Sequence, residues 1–489
     1  MKGHAFATSI AALLFGGVLL LGGCAKESPT KSKQVTEEDK LRAEVKVAEA
    51  EELWSTAAVI AGTTGEIPDF GPARDSYEQA LESDPWNLDA NFGASLTGIL
   101  SLMSDPDIQA LADCLEGSGA ADSLGGLLDG GIGPLGKLQL HRAGTLRSSW
   151  RPLLKLADAS MSCPPVVHEL QGIVETKLIA RVDYALEHLA VVESSPGFQY
   201  FLAPNMTGQA DSMEVDLGEV YLLDASLNIA KSLGLILIAY NLDFDQSGTY
   251  GFLEDSTASM RQLKYLLEDS PTFLTLRPGK KGLAKQALLA SLDKAEASLA
   301  FIRAETDDQG DDLIKSSLVA SLDEAIVPGS PDMPNFARNF DRPEDIIAEL
   351  RTILSGPYTI TEDFDDNEET PDQSITVNVS ALFDAPIQDL RKLFPYHRWE
   401  PETEWWAPDT VWVEGYPIVS TKSPFYFTDA SGNRLDMMTE GFLFVLPDYT
   451  FGGLFPGMTR QRFEELIGPA GLTRPLAKRT ALLSLQVPG

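Results

Sequence analysis

Asp243, Asp245, Ser247 and Glu254 stand at positions one, three, five and twelve of one acidic turn in the stretch NLDFDQSGTYGFLED, with Gly248 at position six. Thr249 offers its backbone carbonyl at position seven. A hard divalent cation needs six or more oxygens, glycine permits the sharp turn, and a carboxylate twelve residues on can close the shell with both oxygens. The spacing therefore nominates Asp243, Asp245, Ser247, Thr249 and Glu254 as ligands of Ca²⁺, in weak sites of extracellular type. A capped polar turn between helices is the plainer reading of the same residues.

A second group is Trp399, Trp405, Trp406 and Trp412, set among Glu400, Glu402, Glu404, Asp409 and Glu414. Indole faces beside carboxylates can hold sugar rings, and a carboxylate pair at the right separation can hydrolyse a glycosidic bond. Packing of a small β unit uses the same residue types, and nothing in the sequence sets a carboxylate separation. The run GIGPLG, Gly131 to Gly136, matches a dinucleotide fingerprint in letters only, because Pro134 interrupts it and no strand precedes it. His141, His168, His188 and His397 stand apart from one another, without the paired spacing of a zinc protease. With no nucleophile elbow or phosphate loop, no catalytic residue is assigned and the chain reads as non-enzymatic.

The elements that position these groups begin after an N-terminal signal. Lys2 is a short basic region, IAALLFGGVLLL is a compact apolar run, and LGGC closes it on small residues and Cys24. This order resembles the bacterial lipoprotein signal. The resemblance implies cleavage before Cys24 and a diacylglycerol on its thiol. An uncleaved transmembrane anchor, which needs ~20 apolar residues, is the competing reading; it gives the paired glycines and the cysteine no purpose. Ala25 after the cysteine, in place of Asp, implies sorting to the outer membrane, with the body facing the periplasm and the membrane reached through lipid alone.

The net charge of the 489-residue chain is −34. Such a surface repels phosphate backbones, which excludes nucleic acid as a partner, and it favours basic partners and divalent cations. Beyond Cys24 there are two cysteines, Cys114 and Cys163. In an oxidising compartment they suit one disulfide or two separate buried thiols.

Patterning divides the chain into a signal at 1–23, a lipidated polar tether at 24–40, a helical domain at 41–355, an acidic linker at 356–374 and a small α+β region at 375–489. The fold class expected is mainly α. Leu217 to Leu242 carries Val220, Leu223, Leu227, Ala230, Gly234 and Leu237 at spacings of three and four, and ends in the all-apolar run LGLILIAY. Arg342 to Ser355 is expected as a helix capped by Asp341. In ARDSYEQALESDPWNLDANFGASL, Ala73 and Ala80 let helices approach, Tyr77 fills the space between them and Pro85 stops the helix. That spacing resembles the second helix of a tetratricopeptide repeat followed by the first helix of the next. The resemblance covers about residues 53–103 and implies a helical solenoid that binds other proteins. The Asn241–Asp255 stretch likewise resembles an EF-hand loop, with Tyr250 in the usual aliphatic place and no second loop paired with it.

After Gly356, the pieces SITVNV, TVWVE, PFYFT and GFLFVLP read as strands, DASGN as a hairpin turn and TRQRFEELIG as a closing helix. Two functional classes follow: a lipid-anchored, non-catalytic adaptor for envelope proteins, and a glycan-binding or glycan-cleaving lipoprotein that uses the tryptophan-rich region.

Overall fold

The computed structural model describes residues 35–64, 67–110, 171–207, 211–242, 270–277, 280, 282–305, 314, 342–362, 373–393, 397–400, 402, 405–408, 410–413, 416–420, 426–428, 434–436, 446 and 448–467. The protein is mostly helical with a few short strands. Its described residues form two compact units that interleave in sequence: one from Gly22–Ile238 and Gln286–Ala325, the other from Ala239–Lys285 and Ile326–Gly489. This division differs from the expected boundary at 355/356.

The first unit opens with α1, Glu37–Thr64. Thr36 starts it, accepting the Asp39 N–H at 3.2 Å while the Asp39 carboxylate accepts the Thr36 N–H at 3.1 Å. The helix therefore takes in the last four residues, 37–40, of the stretch expected as a tether. Ala43, Val47, Ala50, Trp54 and Ala57 are buried along α1, at alternating steps of four and three that keep one stripe facing inward. Helix α2, Gly71–Ser83, has Pro72 in its first turn, where the missing N–H costs nothing. Helix α3, Leu88–Leu100, starts at Asn87, whose side chain accepts the Ala90 N–H at 2.8 Å.

A π-helical stretch, Val174–Ile179, leads into α4, Ala180–Glu193. A hairpin follows: β1, Gln199–Leu202, pairs antiparallel with β2, Met213–Asp216, placing Tyr200 opposite Val215. Helix α5, Leu217–Leu237, is capped reciprocally by Asp216 and Glu219. Helix α6, Leu283–Ala304, joins this unit from Gln286 onward. Among the described residues each of α1 to α5 packs on the next. Ser298 of α6 donates to the Gly218 carbonyl of α5 at 2.7 Å.

Helix α5 ends five residues before the expected Leu242. Ile238, Ala239 and Tyr240 are buried but non-helical, and the Ala239 carbonyl accepts the Arg277 N–H at 2.8 Å. By length and composition α5 could cross a membrane, and half of its most apolar window is buried within the fold. Glu219, Asp224 and Asn228 are buried along it, as suits a core helix with satisfied polar groups.

The second unit holds α7, Pro343–Ser355. The Asp345 carboxylate accepts the Arg342 N–H at 3.1 Å, so the helix start is held from inside its first turn; Asp341 lies outside the described residues. Strands β3, Tyr358–Glu362, and β4, Gln373–Val377, pair antiparallel, with Ile360 opposite Ile375. The acidic run expected as an interdomain linker thus joins two strands of one hairpin. Alternation explains the difference: Ile375 and Val377 are buried while Thr359 and Thr376 share a hydrogen bond on the exposed face.

Strands β5, His397–Glu400, and β6, Trp405–Pro408, form a pair, and β7, Thr410–Val413, β8, Tyr416–Ser420, β9, Tyr426–Thr428, and β10, Arg434–Asp436, form a four-stranded antiparallel sheet. The expected hairpin between PFYFT and RLDMM is the β9–β10 pair. Helices α8, Asp448–Leu454, and α9, Arg460–Ile467, enclose Phe451, Phe455 and Phe463. The Arg460 guanidinium sits 4.4 Å from the Phe451 ring centroid and donates to the Leu446 carbonyl, which lets a fully buried cation share its charge with a ring face and a dipole.

Candidate functional site

The site begins at Tyr77, fully buried on α2. A Cβ added to Gly93 of α3 would come within 2.2 Å of its Cζ, so glycine is what allows α3 to lie against the ring. Ala73 and Ala80, also buried, leave room on the same stripe. Gly98, one turn and a half further along α3, meets Tyr184 of α4 in the same way, with a Cβ only 2.9 Å from Cε1. Small residues on α3 thus receive one aromatic ring from each neighbouring helix.

Tyr200 of β1 enters the same core. Its hydroxyl donates to Glu51 Oε1 at 2.9 Å, which leaves the Tyr77 hydroxyl to donate to the Tyr200 oxygen at 3.3 Å. The Phe92 ring lies 5.0 Å from Tyr200 and 5.5 Å from Phe198, centroid to centroid, within the range of favourable tilted ring pairs. Burial pushes both tyrosine pKa values upward, and for Tyr200 the Tyr77 hydroxyl and the Glu51 carboxylate push the same way. Both hydroxyls therefore stay protonated. Burial, then the Glu51 carboxylate, also raises Asp89. Phe198, Tyr200 and Leu202 are buried at every second position, so the hairpin lies on the helices as a plug with its apolar face inward.

Between α2 and α4 a different surface is open. Tyr184 donates to Glu78 at 3.0 Å, Arg74 pairs with Asp75 at 2.6 Å and Glu78 at 3.3 Å, and Arg181 lies 5.9 Å over the Tyr184 ring. His188 Nδ1 is 2.8 Å from Asn91 Oδ1. Asn91 gives its amide hydrogens to the Pro85 and Asn87 carbonyls, so the Asn91 oxygen accepts and His188 Nδ1 carries the proton. Burial lowers the His188 pKa, which suits a neutral ring. Asp75, Glu82 and Glu187 are exposed acidic positions along α2 and α4, with Gln79 exposed between the first two; Asp183, also exposed, turns to Lys231 of α5 at 2.6 Å.

The residues singled out from sequence fare unequally. Ala73, Tyr77 and Ala80 come together as one buried stripe. Trp399 stands opposite Trp406 and Glu400 opposite Trp405 in the β5–β6 pair, whereas Trp412 belongs to the other sheet, opposite Pro417. Cys24, Cys114, Cys163, Asp243, Asp245, Ser247, Thr249 and Glu254 lie outside the described residues. Among the described residues no group of three or more His, Cys, Asp or Glu is placed to hold a metal.

Tyr200 and Glu51 were not singled out by sequence reasoning. The alternation Phe198, Tyr200, Leu202 was the available signal for the hairpin; nothing local marks Glu51. No protein-family model matches this chain, and neither curated proteins nor solved structures match it significantly.

Proposed function

We propose that the protein is a lipid-anchored, non-catalytic adaptor of the bacterial envelope, held to the outer membrane through Cys24, whose helical unit docks a basic surface of another envelope protein on its acidic α2/α4 face. The observation that supports this most is the packing of the described helices α1 to α5, each on the next, with the Ala73, Tyr77 and Ala80 stripe of α2 buried. Stacks of this kind offer broad faces and few deep clefts, a geometry suited to protein partners. Favourable charge across such a face raises association rates and is screened by salt.

The test exchanges charge at exposed positions. Asp75→Lys with Glu187→Lys is expected to remove co-purifying protein from gently solubilised envelopes, and raised salt is expected to weaken the wild-type association. Both substitutions sit on exposed helix positions, so thermal unfolding should stay near wild type. A folded double variant that retains the same co-purifying proteins would count against the proposal.

A further inference from the structure

Glu193 ends α4, Asp224 lies mid-way along α5 and Lys294 mid-way along α6, yet the three meet in the first unit. Lys294 Nζ contacts Glu193 Oε2 and lies 3.3 Å from Asp224 Oδ2. The side chains are 10% exposed for Glu193, 6% for Asp224 and 27% for Lys294. Asp224 Oδ1 accepts the Asn228 amide at 2.6 Å. Oε1 of Glu193 meets no hydrogen-bond donor among the described residues. One ammonium thus serves two buried carboxylates, and one carboxylate oxygen is left without a donor. Taking such a group out of water is costly unless it is neutralised.

We propose that Glu193, Asp224 and Lys294 form a proton-operated clamp on the junction of α4, α5 and α6. With a proton on the Glu193 carboxyl, its O–H donates to the Asp224 carboxylate, and Lys294 balances the one remaining negative charge. When that proton leaves to solvent, two carboxylates compete for a single ammonium and the junction loosens.

Burial raises the Glu193 pKa above its ordinary 4.5; Lys294 pulls it down and Asp224 pushes it up. The charged groups acting on Glu193 from the packed helices are Asp224 of α5 and Lys294 of α6. Lys231 of α5 also faces α4 but pairs with Asp183 at 2.6 Å, and the Lys294 ammonium sits 5.6 Å over the Tyr221 ring. A carboxyl whose folded pKa is raised contributes stability that is fully present below its unfolded pKa and is lost as pH rises through the folded value. Glu219, pushed up to about 8 by burial and by Asp216, acts in the same sense, so the clamp is read only as a difference between variants.

The experiment is urea unfolding of the full chain from about pH 5 to pH 8, for wild type, Glu193→Gln and Asp224→Asn, with amide exchange of α4 and α6 peptides corrected for intrinsic rate. The clamp predicts that wild type loses stability relative to each variant as pH rises, and that α4 and α6 lose protection in wild type alone. Should Glu193→Gln fail to fold, Asp224→Asn decides, since it removes the competing carboxylate and keeps Glu193. Parallel pH profiles for wild type and variants, with protection independent of pH, would overturn the proposal.

Discussion

Replacing Tyr77 by Ala is expected to lower the unfolding free energy of the helical unit by about 3–5 kcal/mol, the range for deleting a large, fully buried ring. The ring is completely buried, and its hydroxyl also supports Tyr200, so the loss falls on α2, α3 and the hairpin together. Gly93→Ala alone should cost about 1–3 kcal/mol through overpacking, because its methyl would come within 2.2 Å of the Tyr77 ring. In the Tyr77→Ala background the same methyl enters vacated space and gains helix propensity, worth up to about 1 kcal/mol. The two changes should therefore be strongly non-additive. Chemical unfolding of the four members of this cycle checks it, and additive losses would show that the ring does not sit against Gly93.

The second large effect is qualitative. Cys24→Ser is expected to abolish incorporation of labelled fatty acid and to move the protein from the membrane pellet to a soluble form or an uncleaved precursor. A single acyl chain gives only reversible binding, whereas two or more hold firmly, at roughly 0.8 kcal/mol per buried methylene. Loss of the thiol would remove the attachment point of the expected diacylglycerol. Labelling that persists in the variant would contradict the lipid anchor.

What was legible in the sequence is what is written at short range. The stripe Ala73, Tyr77, Ala80 needed only a helical period, whereas the reciprocal cap of Asp216 and Glu219 emerges from the structure. The β9–β10 hairpin followed from turn residues between two short β-prone pieces. The long helix ending at Leu237 was overextended because LGLILIAY continues the apolar pattern, while its last residues are taken by hydrogen bonding to Arg277 and by the bridge from Tyr240 to Leu276. The acidic run after Glu362 looked like a linker by composition, and only the register of β3 with β4 shows what it connects.

The polar contacts that matter most were illegible for one reason. Glu51 with Tyr200, and Glu193 with Asp224 and Lys294, are far apart in the chain and meet through tertiary packing. No local period marks a residue whose partner arrives from another helix, and buried charge is the opposite of what residue type predicts.

Docking of another protein on the helical unit is read out by photo-crosslinking in living cells. A photoreactive residue is placed at Gln79 or Glu187, both exposed on the α2/α4 face, and at Ala300, exposed on α6, as control. Adducts are identified by mass spectrometry. The same discrete protein adduct is expected from Gln79 and Glu187, absent from Ala300 and lost when Asp75→Lys is combined with the Gln79 probe. No adduct from either face position in a folded, membrane-localised protein, or equal adducts from all three, would contradict it.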